Sequence, residues 1–203
     1  FIQEQEQKMA NSIIDNMSKL HLGQAMDIFW SENGKHNVSL EDYLQMCAYK
    51  TGALLSIAMK IGGILGNINP SLILRLEDMA NSMGVAFQIQ DDILNLKSKT
   101  LGKEFGEDIR EGKRTYMVIH SLLSSNNQDK ERLESILHSK TRDEDKIREA
   151  ISIMEKYNSF EAAHEFSGDL ILKGKEIVKE VFPKSDNRRT FLEIFDYVVA
   201  RNN

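Results

Sequence analysis

Apolar residues recur at helical spacing along almost all of this chain. Over residues 1–30, Met9, Ile13, Met17, Leu20 and Gln24 fall on one face, which predicts an amphipathic helix. Ser31 to Val38 is polar, contains Gly34 and reads as a loop. Ser39-Leu40-Glu41-Asp42 has the form of a helix start, with Ser39 as N-cap, and the pattern behind it runs to Gly66. Asn67 to Pro70 reads as a turn, and Ser71 is placed to cap a helix running to Ser98. Thr100 to Gly106 is a loop with two glycines. Helices are then expected over 107–123, over 130–138, from the capping-box pattern Thr141-Arg142-Asp143-Glu144 to Tyr157, from Ser159 to Phe182, and from Ser185 to Arg201. No stretch alternates with a period of two for long enough to predict a strand. The expectation is one all-α domain over residues 1–203.

The helix after Ser71 differs from the rest. Met79, Met83, Ala86, Phe87, Ile89, Ile93 and Leu96 cover most of its circumference, so it should be central. It also carries two adjacent acids, Asp91 and Asp92. Carboxylates enter such a surface only with a cation or hydrogen-bond partners, because desolvation is costly. Hard oxygen ligands suit magnesium, which keeps several waters and is shared with substrate phosphates. In a helix Asp91 and Asn95 are one turn apart, with Asp92 beside them.

Composition narrows the classes without naming a chemistry. The 203 residues are 41% hydrophobic and 28% charged, which is the balance of a soluble globular domain. Two prolines and 12 glycines leave room for long helices. A net charge of -5 argues against nucleic acid as the main partner. The single cysteine, Cys47, excludes an internal disulfide framework and fits a reducing compartment. No run approaches the ~18 apolar residues of a membrane span. The five histidines show no metal-ligand spacing, and the nine methionines read as core filler or cavity lining.

Basic residues follow the acid pair closely. Between Asp91 and Arg114 there are six acids and six bases, a balance that fits a metal plus a phosphate better than a purely anionic ligand. Lys103 follows Gly102 in the loop, where an ammonium could close over a phosphate. Lys113 follows Gly112 on what reads as the next helix. Further upstream, Lys50 is the only charged residue between Asp42 and Lys60, and it needs an anionic partner or a route to solvent.

These segments carry a resemblance. Gly23-Gln24-Ala25-Met26-Asp27, Lys50-Thr51-Gly52, Phe87-Gln88-Ile89-Gln90-Asp91-Asp92-Ile93-Leu94-Asn95 and the run Gly102 to Lys113 resemble, in order and spacing, the carboxyl-terminal two-thirds of the trans-isoprenyl diphosphate synthases, the geranylgeranyl/farnesyl diphosphate synthase family. The ending Tyr197 to Arg201 is similar as well. The resemblance implies an isoprenoid synthase-type helical bundle around a central cavity, lacking its N-terminal helices. It implies a magnesium-dependent enzyme that ionises an allylic prenyl diphosphate and adds isopentenyl diphosphate, followed by loss of a proton. Geranylgeranyl diphosphate is the favoured product over farnesyl diphosphate, and the resemblance implies a cytoplasmic homodimer.

By matching position, Asp91 and Asp92 would bind magnesium. Lys50, Lys103 and Lys113 would neutralise the allylic diphosphate. The Thr51 hydroxyl and the Gln88 side-chain carbonyl would face the developing carbocation. Gln24 and Asp27 would line the cavity and support Lys50 and the metal site, and Phe87 would neighbour the isopentenyl site. Asp108 would support the second metal motif through water or Lys103. Asn95 stands where a third Asp is frequent and is not assigned as a ligand. The family's first aspartate-rich motif has no counterpart after Phe1, which leaves two expectations. The chain is a fragment of an active enzyme, favoured by its start at Phe1, or it is a non-catalytic partner subunit of a prenyl synthase. A longer-chain polyprenyl synthase is the other enzymatic alternative.

Overall fold

Short polar side chains cap several helix starts in this chain, and most helix ends lie within two residues of where the sequence pattern puts them. The computed structural model describes residues 2–33, 37–97 and 105–200. Among these no residue is in a strand. Helix α1 spans Ile2–Asn33, α2 Leu40–Cys47, α3 Ala53–Leu65, α4 Pro70–Lys97 and α5 Glu107–Arg110. Then come α6 Tyr116–Ser124, α7 Asn127–His138, α8 Glu144–Lys156, α9 Ser159–Val181 and α10 Asp186–Ala200. Gly34, Lys103 and Arg201, on which sequence expectations fall, lie outside the described residues.

Ser39 caps α2 as expected. Its Oγ accepts from Asp42 N–H, and Asp42 Oδ2 accepts from Ser39 N–H, each at 3.1 Å, a reciprocal capping box. Ser185 likewise caps α10 through Arg188 N–H. Other expected caps shift. Asn69, not Ser71, starts α4: its Oδ1 accepts from Ser71 N–H at 3.0 Å, and Pro70 takes the first helical position, where its missing N–H is harmless. Asp143 rather than Thr141 caps α8. Ser159 is fully buried inside α9, with its Oγ 2.6 Å from Ser121 Oγ and 2.9 Å from His120 Nδ1, so it does not cap that helix.

Two expected helices are broken. The helix expected from Ser39 to Gly66 contains a five-residue π-helical turn, Ala48–Gly52, between α2 and α3. The one expected over 107–123 splits into α5 and α6, because Gly112 takes the left-handed conformation at φ 70° and Thr115 caps a new start by accepting from Val118 N–H.

The chain divides into two compact units. The first takes residues 1–24, 45–88 and 167–203. Its core joins Leu76, Met79 and Ala86 of α4 to Ile171, Ile177 and Val178 of α9 and Phe195 and Val198 of α10. The stripe expected on α1 is not the buried one: Ile13 is 41% exposed, while Ser12, Asn16 and Gly23 are buried. The inward face is rotated by one residue, about 100° of helix, and at Gly23 it serves close approach rather than apolar filling. A Cβ on Gly23 would lie 2.5 Å from Lys50 N. Gly63 is pressed against Ile68 and Ile73, whereas a Cβ on Gly62 would meet nothing within 4 Å.

Glu77 ties three helices of this unit together. Its carboxylate reaches Lys60 of α3 at 2.7 Å and Lys19 of α1 at 3.3 Å. Burial raises the Glu77 pKa, but the two lysines outweigh it and hold it below the ordinary carboxylate value. A depressed carboxylate stabilises the fold above its unfolded pKa and loses that contribution as pH falls through the folded one. Glu77→Gln should therefore cost about 1 kcal/mol at neutral pH. The gap from the parent should close below about pH 4. Urea unfolding at the two pH values measures this, and equal stability at neutral pH would show that the triad contributes nothing.

The second unit takes residues 25–44 and 89–166. Its core is built from Tyr43, Ile89, Ile93, Leu96, Ile109, Met117, Leu133, Leu137, Ile147 and Phe160. α5 packs on α7 and α8, and α6, α7 and α8 pack on one another. The charged run from Lys140 to Glu149 is mostly solvated, as its pattern suggests. Met79, Ala86, Ile89, Ile93 and Leu96 are all at most 2% exposed, so α4 has the buried character its composition predicts.

Candidate active site

In the first unit, Lys50 and Thr51 sit in the π-helical turn, both half-buried. π-Turns interrupt the regular ladder and recur at functional sites. Backbone presses on this one from two sides. Gly23 of α1 abuts Lys50 N and Tyr49 Cβ, and a Cβ on Gly84 of α4 would lie 2.5 Å from Gly52 Cα. A Cβ on Gly52 would meet Asn81 Oδ1 at 2.9 Å. The lysine-bearing turn is thus seated between two helices at distances only glycine permits. Thr51 Oγ1 donates to Gln88 Oε1 at 3.2 Å, which joins two of the oxygens singled out in the sequence. Phe87 is half-buried and packs against the core cluster of α4, α9 and α10. Gln24 is exposed on α1, and the neighbouring Gly23 is the residue that touches the Lys50 backbone.

α4 continues past Gln88 into the second unit, where Asp91 and Asp92 follow on the next turn. Asp91 is half-buried. Asp92 is only 7% exposed, and its Oδ2 accepts from the Tyr43 hydroxyl at 2.7 Å. Asn95, 6% exposed, turns toward α5, where its Oδ1 accepts from Asp108 N–H at 3.1 Å. Its backbone carbonyl accepts from Gly106 N–H. Asn95 therefore serves the start of α5, which has no side-chain N-cap of its own. That start is set by Gly106 at φ 68°.

Asp108 is buried, and its Oδ1 accepts from Lys113 Nζ at 2.9 Å. Lys113 lies in the break between α5 and α6 rather than on a helix, and it also meets Glu111 at 2.8 Å. Burial lowers the Lys113 pKa, but Asp108 and Glu111 outweigh it and hold the ammonium well above the ordinary lysine range. Its contribution to stability is full below that range and goes only under strongly alkaline conditions. An ammonium has three donors, so two carboxylates leave one for a phosphate. Asp27 is half-buried on the last turns of α1.

Among the described residues, no group of three or more His, Cys, Asp or Glu side chains is arranged to hold a metal. Two neighbouring carboxylates on one helix are nonetheless the kind of donor set magnesium uses, since it keeps waters and shares substrate phosphates instead of filling an all-protein cage. No described helix is long and apolar enough to cross a membrane. The sequence pattern had not singled out Tyr43 or Gly84. The signal for Tyr43 was there in principle: a buried phenol needs an acceptor.

The Polyprenyl synthetase family model matches residues 2–154. A short chain isoprenyl diphosphate synthase of Methanothermobacter thermautotrophicus is 40% identical over 193 residues, covering 94% of this chain and 58% of that protein. A geranylgeranyl pyrophosphate synthetase crystal structure from Pyrococcus horikoshii matches with a TM-score of 0.87 and 34% identity, over 98% of this chain and 60% of that one. A polyprenyl synthase from Caulobacter crescentus, complexed with calcium and isoprenyl diphosphate, matches with a TM-score of 0.86 and 25% identity, over 100% of this chain and 62% of that one. The chain thus spans less than two thirds of each relative's length. Its all-helical architecture is the isoprenoid synthase fold of these structures. With a family model matched along most of its length and a relative of this identity, the chain belongs to the polyprenyl synthetase family.

Proposed function

We propose that this chain acts in a magnesium-dependent trans-prenyltransferase. The enzyme condenses isopentenyl diphosphate with an allylic prenyl diphosphate to a short-chain product, geranylgeranyl diphosphate in preference to farnesyl diphosphate. The observation that carries this reading is the acid pair Asp91–Asp92 on α4, with Asp92 almost wholly buried. A nearly buried carboxylate beside a second, half-buried acid is costly unless a cation or hydrogen bonds use the charge. The relatives support the substrate class: one is a short chain isoprenyl diphosphate synthase, one a geranylgeranyl pyrophosphate synthetase. The Caulobacter protein, in complex with calcium and isoprenyl diphosphate, supports a divalent cation beside such a substrate.

In this mechanism Asp91 and Asp92 hold magnesium, which when bound supplies positive charge to the diphosphate. Lys50, Lys103 and Lys113 neutralise the diphosphate as its C–O bond breaks and it leaves with the electron pair. Thr51 Oγ1 and Gln88 Oε1 present lone pairs toward the allylic cation that remains. The alkene of isopentenyl diphosphate, held near Phe87, then forms the new C–C bond, and a proton leaves to regenerate a double bond. Asp108 orients Lys113, and Gln24 and Asp27 line the substrate space. The working form is a cytoplasmic homodimer.

Incubation of the full-length chain with labelled isopentenyl diphosphate and farnesyl diphosphate should give labelled geranylgeranyl diphosphate with magnesium, and none after chelation by EDTA. Absence of any extension in magnesium would overturn the proposal.

A further inference from the structure

We propose that Tyr43 is a positioning residue for the acid pair, acting through Asp92; this rests on the prenyltransferase reading above. Tyr43 is 1% exposed, and its hydroxyl donates to Asp92 Oδ2 at 2.7 Å. The torsion that turns a carboxylate about its own axis is broad and roughly two-fold, so the backbone of α4 alone does not fix where the Asp92 oxygens point. A short O–H to carboxylate bond does fix it, because charge-assisted bonds are the strong ones.

The donor is itself held from two directions. The Ser39–Asp42 capping box anchors the start of α2 immediately before Tyr43. The ring of Tyr116 meets Tyr43 edge-on at 6.4 Å, and Tyr116 is backed in turn by Phe166 at 5.4 Å and by His120 stacked at 6.3 Å. The phenol therefore has no room to follow a drifting carboxylate, and the carboxylate is drawn to the phenol. Filling this space without function would be easier with an apolar pair, since a buried acid carries a desolvation cost that a leucine does not. Holding the orientation of Asp92 matters if Asp92 and its neighbour Asp91 share a cation.

Tyr43→Phe keeps the ring and its packing on Tyr116 and removes the hydroxyl that donates to Asp92. Binding of the Mn2+–pyrophosphate complex by the full-length chain, followed by Mn2+ electron paramagnetic resonance, should weaken by roughly 10- to 100-fold. The KM for Mg2+ in the condensation assay should rise in step, with much of kcat recovered at excess Mg2+. In an Asp92→Ala background the same change should cost nothing further, because the acceptor it acts through is gone. A thermal melt without metal identifies any simple loss of structure. Mn2+ affinity within about threefold of the parent, or full additivity with Asp92→Ala, would overturn the inference while leaving the prenyltransferase reading in place. Failure of the parent chain itself to bind Mn2+–pyrophosphate would overturn that reading and this inference together.

Discussion

Asp91→Ala should lower kcat of the full-length chain by at least ~100-fold, the scale lost when a preorganised electrostatic element of a transition state is removed. The melting temperature should hardly change. Asp91 is half-buried rather than enclosed, so no large cavity opens. Alanine is also the better helix former, by roughly half a kcal/mol. A residue kept for stability would behave the other way round: its loss would show in the melt and little in turnover. Asp91→Asn separates charge from shape, since it preserves volume and hydrogen-bonding reach but gives up the negative charge; it should fall close to alanine. Initial rates across a magnesium titration, beside a thermal melt of each variant, make the measurement. Near-normal turnover in Asp91→Ala would remove Asp91 from the metal site and with it the main support for the proposed chemistry.

The parts of the fold legible from sequence were those that depend on periodicity. α4 is as buried as its wrap of Met79, Ala86, Ile89, Ile93 and Leu96 implies, and Ser39 and Ser185 cap where their side chains allow. What stayed hidden depends on neighbours distant in the chain. Ser12, Asn16 and Gly23 form the inward face of α1, where Gly23 comes close to the Lys50 backbone, and no local pattern announces a close approach. The π-helical turn at Ala48–Gly52 lies in a densely apolar stretch with no proline, so the segment reads as one continuous helix. Gly112 looks like a tolerable helical glycine until its left-handed φ is seen. At the site, the motif residues were legible, but their connections were not. The bonds from Thr51 to Gln88, from Tyr43 to Asp92 and from Asn95 to the amide of Asp108 each join residues separated by many positions, and side-chain chemistry alone offers several equally good partners.

Gly84→Ala should cost both stability and turnover, and the second loss should be the larger. Two effects oppose each other. Alanine in a helix interior gains about 1 kcal/mol over glycine. Against this, the added Cβ would stand 2.5 Å from Gly52 Cα and 2.6 Å from Gly52 N, where carbon contacts normally sit at about 3.5–4.0 Å. Both contact atoms are backbone, so no rotamer change relieves the clash, and α4 and the π-helical turn have to separate by about 1 Å. Overpacking of this kind costs roughly 1–3 kcal/mol, so the clash wins over the propensity gain. The melting temperature should fall by a few degrees. The same separation moves Lys50 and Thr51 away from Gln88, and a misplacement of about 1 Å can cost about 100-fold in rate. Gly62→Ala supplies the contrast on α3: its Cβ meets nothing within 4 Å, so only the propensity gain remains and the melting temperature should rise. Rates and melts for the two variants decide the matter. If Gly84→Ala is as stable and as fast as the parent, the turn that carries Lys50 is not clamped by this glycine contact, and the positioning assigned to it fails.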